Sequence, residues 1–399
     1  MKHLFPGATG HFSLIQGCYW MTYCILISFS SLYLLDRGFT NTQIGLLLGI
    51  AGLTAAILQP FVGAKGDHLK VLSLRQFTSL PIAAMILCGV GLFLVPAKPV
   101  QAALYMVLLV LLQLLTPLIY SLGMDCLNNH IELNFGLARG IGGGTYALAS
   151  AVCGSLASAL GARVIPLVLV VVVALMLAFT FTFRQGGPVK STLPKPDALP
   201  QSDGTPFLKK YPQVLPLLIG VILLYTSHNV IMNFPYQIVR SLGCGSAEMG
   251  HYLTLQSLMD IPAMVVFSLL LKRASSRAWV RLTGISFFLH ALLTWLAPNL
   301  PFLMVVQVFE MSGYALYSVS SVYFVNEMVD LCDRVQGQTY FTMANTIGIV
   351  LSSVLGGRLL DLGGASAALC LATVTGAAGM VILWFLLRRK SLRPATNAA

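Results

Sequence analysis

The stretch Ile165-Pro-Leu-Val-Leu-Val-Val-Val-Val-Ala-Leu-Met-Leu-Ala-Phe-Thr-Phe-Thr-Phe183 carries no charge, and Arg184 and a polar run to Gln213 follow it directly. A helix needs about 20 predominantly apolar residues to cross the hydrocarbon core of a bilayer, so this segment is long enough to span. Working outward, spans are expected at 12–34, 44–62, 76–96, 101–124, 139–160 and 163–183 before the polar run. Six more are expected after it, at 214–239, 251–271, 282–298, 301–326, 339–360 and 365–387. Charged residues make up 9% of the chain and hydrophobic residues 57%, which excludes a soluble core inside a charged shell. The expected fold is an all-α membrane protein: twelve transmembrane helices in two pseudo-symmetric six-helix bundles, 1–183 and 214–399, joined by a flexible cytoplasmic linker over 184–213.

The linker holds Pro188, Pro194, Pro196, Pro200 and Pro206 among Lys, Asp, Ser and Gly, the composition of a tether without a core. Elsewhere, turn signals such as Asp36-Arg37-Gly38, Pro96-Ala97-Lys98-Pro99 and Pro298-Asn299 suit tight helical hairpins. No room is left for a soluble catalytic domain. An intramembrane enzyme would show clustered acids for a metal, or a nucleophile with its base; neither is seen, so no enzyme is expected. The halves also match each other at a shift of 202 positions, which lays Ser150–Gly161 over Ser352–Gly363 and Asp125 over Glu327. Parallel halves with a midplane site are a known transporter plan. Gly140, Gly142, Gly143 and Gly144 remove side-chain bulk inside the fifth span, either for packing or to let helices slide.

If both termini are cytoplasmic, the inward loops and tails hold roughly 19 of the 24 Lys and Arg residues. They include Lys65, Lys70, Arg75, Lys209, Lys210, Lys272, Arg273, Arg277, Arg281, Arg388, Arg389 and Lys390. Topology thus accounts for the net charge of +11 without a nucleic-acid partner, and the basic clusters also suit anionic membrane lipids. The first apolar run lacks a cleavage pattern and is expected to be retained. A multi-pass monomer in the bacterial cytoplasmic membrane, with both termini cytoplasmic, is the expected form. The eight cysteines show no C-x-x-C pair and are expected to pack as small apolar groups.

Placing a charge at the bilayer centre costs about 2.5–3.5 kcal/mol on translocon scales, so charges within spans need a compensating reason. Asp260 lies mid-span in Leu258-Met-Asp260-Ile-Pro262, Glu310 mid-span in Gln307-Val-Phe-Glu310-Met, and Arg139 opens the fifth helix. A carboxyl that trades an apolar setting for a polar one changes its readiness to hold a proton, as a proton-coupled carrier requires. A proton falling through about 100 mV releases about 2.3 kcal/mol, enough for roughly fifty-fold accumulation of a neutral solute. Either carboxyl could instead only bond neighbouring helices, and Arg139 could snorkel to the inward surface.

Polar side chains gather on the seventh span: Ser227, His228, Asn229, Asn233 and Tyr236, with Asn229 and Asn233 one turn apart and Pro235 loosening the helix. They suit either a cavity lining or interhelical hydrogen bonds. His290 in the ninth span is isolated. No His-x-x-His or carboxylate partner lies at ligand spacing on one helix, so no metal site is expected.

These residues resemble the major facilitator superfamily, and within it the oligosaccharide and nucleoside proton symporters that include lactose permease. Gln59-Pro60-Phe-Val-Gly63-Ala-Lys-Gly-Asp67 is similar to the family's Q-P-x-x-G-x-x-x-D between the second and third helices. Ala138-Arg139-Gly-Ile-Gly142-Gly-Gly-Thr-Tyr146-Ala-Leu148 resembles A-R-x-x-G-x-x-x-W-A-L. Asp260-Ile-Pro262-Ala-Met264 resembles the eighth-helix E-I-P-x-M, and Phe309-Glu310 the tenth-helix F-E. The resemblance implies a major facilitator fold. It also implies that Arg139 holds a hydroxylated solute, that Tyr146 offers an aromatic face, that Asp260 joins solute binding to protonation, and that Glu310 carries the proton. Gln307 stands where the permease has His, His228 and Asn229 where it has aspartates, and Ser121 where it has Glu, with Asp125 a turn further on. His290 is the nearest stand-in for its ninth-helix Arg.

The expected function is a proton-coupled secondary carrier that imports a small hydroxylated solute, such as a sugar, oligosaccharide or nucleoside, by alternating access, with the proton as coupling ion and no other cofactor. Glu310 and Asp260 are the expected coupling residues. Arg139, Tyr146, Asp260, His228, Asn229, Asn233 and Gln307 are the expected solute contacts, and Asp67, Gly63, Asp125 and Glu327 the expected gates. The alternatives are an exporter or antiporter of amphipathic compounds on the same fold, which loose Met-rich and aromatic spans would suit, and a membrane sensor that binds without flux.

Overall fold

In the computed structural model the described residues are 7–67, 73–128, 131, 133–183, 206–270, 274–330 and 333–388, and among them there are helices and no strand. α1 (Gly7–Tyr23) runs through a π turn, Cys24–Ser28, into α2 (Ser30–Asp36), with a bend of 48°. α3 (Asn41–Asp67), α4 (Leu74–Leu94), α5 (Lys98–Asn128), α6 (Phe135–Leu160) and α7 (Ile165–Thr182) complete the first six spans. Beyond α8 (Phe207–Lys210) lie α9 (Val214–Asn233), α10 (Pro235–Ser241), α11 (Ser246–Leu270) and α12 (Ser276–Trp295). The tenth span is broken into α13 (Leu300–Val306), α14 (Val308–Glu310), a π turn Met311–Ala315, and α15 (Leu316–Met328). α16 (Arg334–Arg388) holds the last two expected spans, separated by the non-helical residues Gly363 and Gly364. Among the described residues each of the twelve expected spans overlaps helix, in order.

Seven described helices are long and apolar enough to cross a membrane, or eight with the bent α1–α2 pair. α6, α11 and α12, the helices that carry Arg139, Asp260 and His290, are not among them. On α3, Leu46, Ile50, Leu53, Ile57 and Phe61 recur at helical spacing and are all exposed. Water would penalise such a stripe and lipid tails accept it, which makes this a multi-pass membrane protein.

The chain forms two compact units, Met1–Thr192 with Asn233–Leu258, and Leu193–Met232 with Met259–Ala399. The first unit thus includes a stretch that the sequence division assigns to 214–399. In it α1 packs on α6 and α7, α4 on α5 and α7, and α3 on α5, around Phe12, Ile15, Phe29, Met85, Leu112 and Met176. The Tyr33 hydroxyl donates to Gln101 Oε1 at 2.6 Å, and the Gln101 amide donates to the Leu92 carbonyl at 2.7 Å, so the buried polar ends of α2, α4 and α5 satisfy one another.

The first half of α11 joins this unit because its backbone meets that of α6 almost directly. A Cβ on Gly250 would lie 2.5 Å from the Ser150 carbonyl oxygen, and one on Gly154 would lie 2.7 Å from that of Ser246. Along the same seam Thr254 donates to the Ala147 carbonyl at 3.0 Å and Ser257 to the Gly143 carbonyl at 2.9 Å. Small residues at four-residue spacing are how helices approach closely in lipid, where no hydrophobic force drives them together. Within the glycine run, Gly142 also admits the Trp20 indole, which an added Cβ would overlap. Packing against Trp20 therefore explains Gly142. α6 ends at Gly161 with φ +82, and the helix that the 202-position shift lays over it is interrupted at Gly363, with φ −143, and Gly364, with φ +66.

In the second unit α12 packs on α15, α16 and the π turn Met311–Ala315. Its core includes Leu217, Val221, Leu224, Phe287, Tyr317, Phe324 and Leu383. Residues 184–205 of the expected linker lie outside the described residues, but its end is not a free tether. Phe207 and Tyr211 are four apart on one face and buried, and the Phe207 ring stacks on Tyr340 with centroids 4.9 Å apart. Lys210 Nζ is 2.7 Å from Asp333 Oδ2 and 3.2 Å from Asp330 Oδ2, and the Tyr211 hydroxyl donates to both carboxylates at 2.9 Å. The carboxylates hold the Lys210 ammonium above its ordinary pKa, and burial raises the Tyr211 phenol above its own.

Two measurements check this packing. Gly250→Ala should lower the melting temperature in detergent by several degrees, since overpacking costs about 1–3 kcal/mol, whereas Gly144→Ala, with nothing within 4 Å of its Cβ, should leave it unchanged. Asp333→Asn should also destabilise, by about 1–3 kcal/mol for a lost charged hydrogen bond. A raised Lys contributes fully below its unfolded value of about 10.4 and loses that contribution as pH climbs through the raised one, so the loss on mutation should be equal near pH 6 and pH 9.

Candidate functional site

The second unit encloses three ionisable side chains from three helices. His228 of α9 and His290 of α12 each bring Nδ1 to 3.4 Å from Glu310 Oε2 of α14, and the three side chains are 4%, 1% and 2% exposed. Local sequence explains the aim of each. The His228 ring lies flat on Tyr314, with centroids 4.8 Å and planes 6° apart, and meets Phe287 edge-on, so aromatic walls fix its orientation. Glu310 sits where the tenth span leaves α-helical register: α13 stops at Gln307, and the π turn begins at Met311. Such turns widen the helix by a residue and re-aim side chains, and they recur at functional sites.

Asp260 of α11 lies near enough to Glu310 for the two charges to repel, and its Oδ1 is buried without a hydrogen-bond partner. Gln307 is fully buried; its amide donates to the Leu303 carbonyl at 3.1 Å, and its Oε1 finds no partner. A carboxylate removed from water must be protonated or compensated by a cation. Two imidazoles and a second carboxyl beside Glu310 supply several nearby places for one proton.

A second cluster lies in the first unit. The Arg139 guanidinium stands over the Trp20 ring at 5.7 Å and the Tyr120 ring at 5.9 Å, and it donates a short hydrogen bond to the Tyr120 hydroxyl. One turn before Trp20 on α1, Gln16 is fully buried, and neither its amide nitrogen nor its oxygen has a partner; the Trp20 indole nitrogen is also without one. Arg139 is thus turned onto two aromatic rings inside the unit, rather than only reaching for the surface. Buried donors and acceptors without partners are uncommon in stable cores, and a polar ligand would satisfy them.

Tyr146, the expected aromatic face, is buried, and its hydroxyl is hydrogen-bonded to Ser28 Oγ at 2.6 Å, while Trp20 offers a ring beside Arg139. Asn229 donates to the Tyr225 carbonyl of its own helix at 2.9 Å. Asn233 ends α9, where Phe234 breaks the helix before Pro235, and belongs to the first unit. Glu327 accepts a short hydrogen bond from Ser276 at the first turn of α12, where the helix dipole favours an anion. Asp125 is half-buried near the end of α5. Gly63 and Asp67 close α3, and their side chains lie outside the described residues.

Sequence reasoning missed Trp20, Tyr120 and Gln16 and undervalued His290. A rare Trp and a Gln one turn apart in the first span were the available signal. Spacing along single helices also hid the grouping of His228, His290 and Glu310, which one helix could not display.

The MFS_1 like family matches residues 13–370. The chain belongs to this family of the major facilitator superfamily. It is a membrane transporter of the major facilitator type. A comparison with curated proteins finds no match. Among solved structures, this transporter is similar to a mutant form of the nucleoside transporter NupG at 14% identity and TM-score 0.78, over 96% of this chain and 99% of that one. It is similar to a bacterial homologue of the iron transporter ferroportin at 13% identity and TM-score 0.71, over 96% and 99%. An auto-inhibited POT family peptide transporter gives 11% identity and TM-score 0.70, over 99% of both. At these identities the likeness concerns the fold alone.

If Asp260 and Glu310 repel as placed, Asp260→Asn should melt at or above the wild-type temperature at neutral pH, measured by unfolding in detergent. A clear loss of stability would mean that the Asp260 carboxylate is compensated by a cation.

Proposed function

We propose that this transporter imports a small hydroxylated solute together with a proton, with both termini in the cytoplasm and one chain as the working unit. The observation that carries the proposal is the dry carboxylate of Glu310, flanked by His228 and His290 at equal distances and by Asp260. Such a group exchanges a proton only when its surroundings change, which links protonation to the conformational cycle. Positive charge concentrated in the inward loops supports the orientation.

For the solute, Arg139, Tyr120, Trp20 and Gln16 combine a fixed cation, a ring face and unsatisfied amide and indole groups. That set suits a ligand with hydroxyls on one edge and a flat or apolar face. The structural likeness to a nucleoside transporter favours testing nucleosides first, followed by sugars and glycosides.

In proteoliposomes, the wild-type chain should accumulate solute when a proton gradient is imposed. Glu310→Gln should abolish accumulation while solute exchange persists; undiminished uphill transport in that variant would sink the coupling role. In a thermal-shift screen the matching solute should raise the wild-type melting temperature by mass action. Trp20→Leu and Gln16→Leu should weaken that response by at least about tenfold in solute concentration, the effect of losing about 1.4 kcal/mol.

A further inference from the structure

We infer that His228, His290 and Glu310 form a binding site for a divalent transition-metal ion of the zinc class. The three ligand atoms lie within 4.8 Å of one another, and all three side chains are buried. The spacing is informative. Donors about 2.0–2.2 Å from a tetrahedral ion stand about 3.3–3.6 Å apart, and both histidine nitrogens are 3.4 Å from the Glu310 oxygen. A direct N–H···O hydrogen bond would draw such atoms to about 2.7–3.2 Å. His228 Nδ1 is buried and makes no hydrogen bond among the described residues.

The donor set also selects the ion. Two imidazoles and one carboxylate suit zinc and its first-row neighbours, whereas magnesium and calcium require mainly oxygen ligands. Three protein ligands leave a fourth position for water or for a solute hydroxyl. The surrounding aromatic walls, Tyr314 flat on His228 and Phe287 edge-on, hold one ligand ring in place before any ion arrives. Sequence spacing along single helices offers no such site; packing of α9, α12 and α14 supplies it.

The site stands on geometry alone. Its consequence for transport rests on the coupling proposed above: an ion on Glu310 excludes the proton and should inhibit uptake. The test uses the full chain without a polyhistidine tag, purified in detergent and stripped with chelator. Zinc titration by calorimetry should show one ion per chain, and cobalt(II) should give the intense visible absorption of a tetrahedral complex. His228→Gln and His290→Gln should each weaken zinc binding by at least about tenfold, and the double variant should lose the cobalt spectrum. Melting curves of the metal-free variants verify that they fold.

No stoichiometric binding, or binding and a spectrum unchanged in the folded double variant, would overturn the site. Binding that depends on both histidines but leaves uptake untouched would uphold the site and count against Glu310 as the coupling residue. A wild-type chain that binds no zinc yet shows intact proton-driven uptake would overturn the site and leave the coupling role of Glu310 standing.

Discussion

One buried carboxylate constrains the second unit. Glu310 has left water and touches two imidazoles at the same distance, with another carboxyl within reach of its field. A charge there is tolerable only while something compensates it. The broken tenth span, the flat contact of Tyr314 with His228 and the Phe287 edge all serve that requirement, because each fixes a group facing the carboxylate. The ionisable groups around Glu310 are thus gathered in a small volume walled by aromatic rings.

The first unit solves a different problem. Helices in lipid gain little by burying leucine, so α6 and α11 approach through glycine, serine and threonine until carbonyls and hydroxyls meet. On the same helix Gly142 clears space for Trp20, and Trp20 lies under Arg139. Close packing and the candidate solute contacts therefore both draw on missing side chains in α6, at Gly154 for the seam and at Gly142 for Trp20.

Much of the architecture was legible in the sequence, because a span is a local property. Twenty apolar residues must become a helix in lipid wherever the chain places them, since no water is available to satisfy an open backbone. The glycine ends of the matching fifth helices were readable for a similar reason, as only local φ freedom is involved. The linker was harder. Its prolines suggested a tether, yet Phe207, Lys210 and Tyr211 dock its end through partners more than a hundred residues away.

The sequence by itself determined that the chain is helical and membrane-spanning, and that a few charges lie where they are costly, because these follow from composition over windows of about 20 residues. Tertiary structure alone decided which of those polar groups meet. His290 has no ionisable neighbour within two turns along its helix, and nothing in the spacing of the first span announced that Trp20 would lie beside Arg139. Contacts among α9, α12 and α14 depend on helix rotation, on one π turn and on the aromatic side chains between them. None of these leaves a periodic mark in the order of residues.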